Sequence, residues 1–246
     1  MSDKQTLLPG KSIVITGASG GIGAAIARRC AAEGARVGIG YHRSRGAAEA
    51  LANELGGMAL SFDVQDAAQV DAAVATFLEQ GKRIDGWVNA AGIHHAALLV
   101  SSEVAPLSEQ LAVNLLGTVL CTRAVLRHFL GEKSGVFLNV SSVAAAAPVR
   151  GGAVYAASKA GVEAFTRAVA IEYGRKGVRA VCVRPGPTET PMLAATLALV
   201  GDQAQSRTAL RRLGRPEEIA SLAAYLLSDQ ASYITGSVHG VDGGYA

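Results

Sequence analysis

The chain has 246 residues, half of them hydrophobic and 17% charged, with a mean hydropathy of +0.27. That composition excludes a disordered chain, and the length admits one or two domains. The net charge of +3, from 23 basic and 20 acidic side chains scattered without a long basic run, excludes nucleic acid and anionic membrane as main partners.

Cys30, Cys121 and Cys182 stand far apart in apolar runs, with neither metal-ligand nor redox spacing. They read as buried thiols of a reducing compartment. Residues 1–11 hold Asp3 and Lys4 and no apolar run, and no apolar stretch of 18 residues is expected further on. The expectation is a soluble cytoplasmic protein.

In chain order, Ser12–Thr16 reads as a strand, Ile22–Glu33 as a helix, Arg36–Tyr41 as a strand and Ala47–Leu55 as a helix. Leu60–Phe62 is a short strand, and Ala67–Gln80 a helix with Val70, Val74, Phe77 and Leu78 on one side. Ile84–Asn89 is the next strand. Leu111, Leu115, Thr118, Thr122, Val125, Leu126 and Phe129 recur at steps of three and four, the mark of an amphipathic helix. Val136–Val140 is a strand, Tyr155–Tyr173 a long helix and Val178–Val183 a strand. Glu217–Leu227 is a helix introduced by Arg215-Pro216, and Val238–Val241 is the last strand. Strands alternating with helices imply βαβ crossovers. The expected fold is α/β, a single doubly wound Rossmann-type domain over residues 1–246, its seven-stranded parallel sheet covered by helices on both faces.

Thr16-Gly17-Ala18-Ser19-Gly20-Gly21-Ile22-Gly23 follows the first strand and opens the first helix. Glycines at 17, 21 and 23 let backbone approach a pyrophosphate, and a helix N-terminus offers unpaired N–H groups. Gly17, Ser19, Gly21, Ile22 and Gly23 are therefore candidate dinucleotide ligands. A site for NAD(H) usually has an acid about 20 residues on, to hold the ribose 2′-hydroxyl. Here no acid lies between Glu33 and Glu49, and the second strand ends in Tyr41-His42-Arg43-Ser44-Arg45. His42, Arg43 and Ser44 suit a 2′-phosphate, so NADP(H) is expected over NAD(H). Asp63 and Val64 follow the third strand, in reach of an adenine amino group. Asn89, Ala90 and Gly92 follow the fourth, where open α/β sheets bind ligands.

Tyr155 and Lys159 are one turn apart on a predicted helix and share a face. An unperturbed phenol is a poor acid at neutral pH, and a nearby ammonium lowers its pKa into the working range. Ser142 ends the fifth strand, placed to hydrogen-bond a carbonyl oxygen gaining charge. Asn114 lies in the preceding long helix.

With these motifs together, the chain resembles the short-chain dehydrogenase/reductase family from Lys11 to Ala246. The family's TGxxxGxG stands as Thr16–Gly23 and its NNAG as Asn89-Ala90-Ala91-Gly92, with one Asn replaced. Its YxxxK is Tyr155-Ala156-Ala157-Ser158-Lys159, with Ser142 thirteen residues earlier and Asn114 as the helical Asn. Pro185-Gly186, Thr188 and Thr190-Pro191 match its segment after the sixth strand. The resemblance implies metal-free hydride transfer between a nicotinamide and a carbonyl or alcohol carbon. In it Tyr155 is the proton donor, Ser142 polarises the carbonyl and Lys159 holds the nicotinamide ribose. Asn114 holds a water leading to Lys159, and Pro185, Gly186, Thr188 and Thr190 line the cofactor.

Tyr155–Gly161 and the C-terminal Leu213–Ile219 and Val241–Gly244 are most similar to bacterial β-ketoacyl-acyl carrier protein reductases. That likeness implies an acyl carrier protein-bound substrate and a homotetramer. Ala157, Ala160, Gly161, Ala164 and Ala168 give the helix after Tyr155 a small-residue side suited to such assembly. The expected substrate loop, about 188–213, carries apolar Met192, Leu193, Leu197, Leu199 and Val200 with Arg207, Arg211 and Arg212 as a basic border. Lys133, Arg175 and Lys176 are further candidates for carrier docking. Three departures bear on specificity: Gly20 where NADP-dependent relatives often have a basic residue, Ala90 in the NNAG turn, and His94-His95 and Pro106 in place of an acidic, Trp-containing segment at 94–108. The alternatives are another ketone or secondary alcohol, or a silent dinucleotide sensor.

Overall fold

The structure is a computed structural model that describes residues 6–80, 83–194 and 204–245. Seven strands are formed: β1 (Ser12–Ile15), β2 (Arg36–Tyr41), β3 (Met58–Ser61), β4 (Gly86–Asn89), β5 (Gly135–Val140), β6 (Val178–Pro185) and β7 (Val238–Val241). The helices are α1 (Gly21–Ala32), α2 (Arg45–Leu55), α3 (Ala67–Glu79), α4 (Val104–Leu111), α5 (Gly117–Glu132), α6 (Ala153–Tyr173) and α7 (Pro216–Leu227).

All strand pairs are parallel, in the order β3-β2-β1-β4-β5-β6-β7. The chain moves outward from β1 to β3, then returns to lay β4 on the other side of β1, with Ile15 opposite Val88. That reversal opens a crevice at the carboxyl ends of β1 and β4, where such sheets bind ligands.

Side chains alternate across the sheet and both faces are buried. Ile13, Ile15, Val88, Leu138, Val181 and Val183 pack under α1, α2 and α7. Val14, Trp87, Phe137 and Ala180 pack under α3, α5 and α6. This double covering is why the strands read as continuous apolar runs rather than alternating ones. Small residues let α1 and α7 approach closely: Ala24, Ala25 and Ala27 are buried on one, Ala220, Ala223 and Ala224 on the other.

The region from 104 to 132 differs from the expected single helix. α4 precedes the predicted start, and Ala112–Leu116 between α4 and α5 is a π turn. Its wider turn seats Asn114 fully buried, facing Ile93 and Ser158. The whole run Val104–Glu132 is also long and apolar enough to cross a membrane by length and composition, which corrects the expectation that no such stretch exists. In the fold it packs instead on α3, α6 and the sheet, burying Cys121, Val125 and Phe129.

Candidate active site

A cleft of about 750 Å³ lies at the carboxyl ends of the strands. Its floor at one end is the loop after β1: Gly17, Ser19, Gly20, Gly21, Ile22 and Gly23 all line it. The loop needs its glycines. Gly17 has φ +64°, and a Cβ there would lie 2.7 Å from the Cα of Ala91; a Cβ on Gly23 would lie 2.5 Å from the Gly17 carbonyl oxygen. Gly20 caps α1 with extended backbone and no side-chain bond, and the first turn has no acid. The first N–H groups of α1 thus face the cleft beside a positive dipole end. These residues fit the pyrophosphate of a dinucleotide.

The turn after β4 is fixed from below. The Thr16 hydroxyl accepts from the N–H groups of Ala90 and Ala91, both at 3.0 Å. The Asn-to-Ala change at 90 therefore leaves the bonds holding this turn intact. Ala90 and Gly92 line the cleft, as do Pro185, Gly186, Thr188 and Thr190 from the loop after β6. Asn89 does not. Its side chain accepts from the Trp87 indole (2.9 Å) and donates to Asn139 (2.8 Å), tying β4 to β5 inside the core.

The residues expected around the adenosine end also lie outside the cleft lining. Arg43 is exposed, with Glu109 at 3.9 Å, and His42 lies 3.8 Å from Asp63. Ser44 is the N-cap of α2, without a side-chain bond. Asp63 accepts from Gln65, and Val64 is buried beneath Gly117. His42, Arg43 and Ser44 stand at the end of β2, the strand beside β1, so the fold holds them together at the carboxyl end of the sheet.

Ser142, Tyr155 and Lys159 meet in the cleft. Ser142 follows β5 and accepts the Ala144 N–H at 3.2 Å. Tyr155 and Lys159 project from one face of α6, the ammonium 5.8 Å from the phenol ring centroid. Lys159 Nζ donates to the Val140 carbonyl at 2.9 Å. Burial lowers its pKa to about 8, with a small opposing contribution from Cys182. Burial also raises the Tyr155 phenol above 10, and a hydrogen bond with Ser142 opposes that rise. The sequence argument expects the reverse, a phenol lowered by the ammonium. Here burial sets the direction, and the ammonium, 5.8 Å over the ring centroid, spends its hydrogen bond on the Val140 carbonyl.

Asn114 does not line the cleft. Its amide donates to the Ile93 carbonyl (2.9 Å) and to Ser158 (3.1 Å), and its oxygen accepts the Ile93 N–H (2.8 Å). It clamps the backbone after Gly92 over Lys159: a Cβ on Gly92 would meet Asn114 Oδ1 at 3.3 Å and Lys159 Nζ at 3.4 Å.

Beyond the Tyr–Lys pair the walls are apolar: Val143, Ala144, Ala147, Pro148 and Val149 on one side, Met192 and Leu193 on the other. The expected substrate loop contributes Thr188, Thr190 to Leu193, Ala204 and Arg207; Leu197, Leu199 and Val200 lie outside the described residues. Its basic border is smaller than the sequence implies, since Arg212 is held by Glu218 at 2.6 Å. Motif spacing does not single out His94 as a site residue, yet it lines the cleft with its ring 4.4 Å from that of Tyr155. Its place two residues after Gly92 is the signal that finds it. Glu163 is a second omission. One turn beyond Lys159 on α6, it accepts from Ser141 (2.8 Å) and from both ends of the Arg184 fork (2.8 and 2.6 Å).

A family model described as enoyl-(acyl carrier protein) reductase matches residues 17–246. The chain is 40% identical to 3beta-hydroxysteroid dehydrogenase 1 of Eggerthella lenta, over 96% of this chain and 94% of that one. It is 39% identical to a 3-oxoacyl-[acyl-carrier-protein] reductase of Synechocystis, over 97% and 98%. A crystal structure of 3-ketoacyl-(acyl-carrier-protein) reductase from Brucella melitensis complexed with NADH superposes with a TM-score of 0.91 at 36% identity, covering 96% of this chain and 98% of the other. Likeness of this extent, joined to a Tyr–Lys pair facing a glycine-rich phosphate loop across one cleft, makes the chain a member of the short-chain dehydrogenase/reductase family, an oxidoreductase that uses a nicotinamide dinucleotide.

Proposed function

We propose that the protein reduces a 3-oxoacyl thioester, delivered on an acyl carrier protein, to the 3-hydroxyacyl thioester with NADPH. The observation that carries this reading is the meeting of Ser142, Tyr155 and Lys159 at the base of an apolar-walled cleft that also contains the phosphate loop. The nicotinamide supplies the hydride. The N–H groups of Gly21, Ile22 and Gly23 hold the pyrophosphate, and Arg43, with His42 and Ser44, meets the 2′-phosphate. Asp63 and Val64 border the adenine, Asn89 braces the turn, and Pro185 to Thr190 close over the nicotinamide end.

Tyr155, whose raised pKa keeps it protonated at neutral pH, gives its proton to the substrate oxygen. The Ser142 hydroxyl donates to that oxygen as it gains charge, and afterwards to the phenolate. Lys159, still mostly charged below its pKa of about 8, steadies the phenolate and binds ribose hydroxyls. Asn114 keeps the backbone over Lys159 in place and hands it a water-borne proton.

Val143, Ala147 and Val149, with Met192 of the substrate loop, accept the acyl chain of a single-domain enzyme. Lys133, Arg175 and Lys176 are exposed and offer docking charges for an acidic carrier. Leu99 and Val100 before α4, Val104 at its start, and Ala157, Ala164 and Ala168 along α6 are exposed, which supports assembly as a homotetramer; the expected compartment is the cytoplasm. Gly161 is instead used inside the chain, against Leu115.

NADPH oxidation is followed with acetoacetyl thioester on a pantetheine carrier, beside NADH and beside Tyr155→Phe. Rapid turnover that prefers NADPH and falls by at least about 100-fold in the variant is expected, the scale of general acid catalysis. Reduction of free ketones but of no thioester overturns the acyl reading. A fully active Tyr155→Phe overturns the site.

A further inference from the structure

The chain has 20 carboxylate side chains, yet among the described residues none lines the cleft. The ionisable groups that do are His94, Arg150, Tyr155, Lys159, Arg207 and Tyr245. Lys159 and Tyr155 belong to the chemistry. His94 packs on the Tyr155 ring and Tyr245 underlies Arg207, which leaves the two guanidinium groups, Arg150 from the segment after β5 and Arg207 from the loop after β6. Arg150 stands on the segment that follows Ser142. Its base is a tight turn: Gly152 N–H bonds the Val149 carbonyl at 3.0 Å, and Gly151, at φ +81°, accepts from Ala97 at 3.0 Å. Arg150 has no acidic partner among the described residues. Arg207 lies flat over the Tyr245 ring, 4.5 Å from its centroid, a stack that orients the planar fork.

Two guanidinium groups in the lining of an otherwise apolar-walled cleft, one of them stacked on Tyr245, suit negative charge on the substrate. Low dielectric walls, with no carboxylate among the described lining residues, strengthen that field. We infer that the substrate carries an anionic oxygen group, a carboxylate or a phosphate ester, on the far side of the reacting carbonyl, and that Arg150 and Arg207 bind it. The inference rests on the reading of this cleft as the carbonyl site. The anion has two sources: the carboxylate of a free oxo acid, or the phosphate of a pantetheine arm.

The test compares kcat/KM within two pairs of substrates. One pair is a series of methyl-ketone carboxylates of increasing chain length, each beside its methyl ester. The other is acetoacetyl-phosphopantetheine beside acetoacetyl-pantetheine. In wild type the anionic member is favoured in at least one pair. In Arg150→Gln and Arg207→Gln that preference falls by at least about tenfold, the low end for a hydrogen bond to a charged group. The pair that responds identifies the source. An unchanged preference in both variants, or no preference in wild type, overturns the inference. Failure of both thioesters with turnover of the oxo acids defeats the acyl reading and leaves this one standing. If no carbonyl turns over, 3-hydroxybutyrate and its methyl ester are titrated into NADPH-loaded protein by cofactor fluorescence. Equal affinity for acid and ester then overturns the inference.

Discussion

Removing the Glu163 carboxylate should uncouple three pieces of the site at once. Glu163 lies on α6 one turn beyond Lys159, Ser141 precedes Ser142, and Arg184 precedes the Pro185-Gly186 segment. The carboxylate bonds both of the others at 2.8 Å or less. Glu163 is 7% exposed and Arg184 29%. Breaking a buried pair by removing one partner costs about 3–5 kcal/mol, and the partly hydrated Arg184 places Glu163→Ala near the lower figure. For a chain of this length about 3 kcal/mol lowers Tm by roughly 6–12 °C.

Urea unfolding of wild type, Glu163→Ala, Arg184→Ala and the double variant closes a cycle. The double variant should be less destabilised than the sum of the singles, by about 1–3 kcal/mol. The pH dependence follows from the same contacts. Burial pushes the Glu163 carboxyl upward, but hydrogen bonds from Arg184 and Ser141, with the Arg184 and Arg167 charges, bring it below 4.5. A carboxylate whose folded pKa is depressed stabilises fully above its unfolded value and loses that contribution as pH falls through the folded one. The stability gap between wild type and Glu163→Gln should therefore hold from pH 7 to about 5 and shrink below about 4.5. A single-variant loss under about 1 kcal/mol, or an additive cycle, would refute the coupling.

Gly17→Ala should weaken dinucleotide binding and destabilise the fold by about 1–3 kcal/mol, since φ is +64° and the new Cβ meets the Ala91 Cα at 2.7 Å; an unaltered Tm and Kd would contradict this. Lys159 gives its proton up near pH 8 in the folded chain but near 10.5 when unfolded, so folded protein binds fewer protons in between. Wild type should then gain stability on Lys159→Met between about pH 8 and 10, by up to about 1.4 kcal/mol per unit, read by urea midpoints; a flat difference would count against the buried ammonium. Arg43→Ala should raise KM for NADPH at least about tenfold and for NADH by no more than about twofold. Equal changes for both cofactors would remove Arg43 from the 2′-phosphate.

Much of this was legible from residues alone, because it is local. The β2 limits, Arg36–Tyr41, coincide with the reading of the sequence, and the remaining strands and most helix ends fall within a few residues of it. Burial on both sheet faces writes itself as unbroken apolar runs, and Gly17 and Gly23 announce a close backbone approach that leaves no room for a Cβ. Tyr155 and Lys159 share a face by helix period, which no tertiary contact can alter. What the sequence could not decide depended on through-space partners. Asn89 has the look of a ligand, and its side chain bonds Trp87 within β4 and Asn139 across on β5. The π turn that buries Asn114 answers to Ile93, twenty-one residues away. The sign of the Tyr155 shift is set by how deeply the cleft buries it, which spacing along a helix does not encode. The same holds for Arg150 and Arg207, distant in the chain, which only the folded sheet and its loops bring to one cleft.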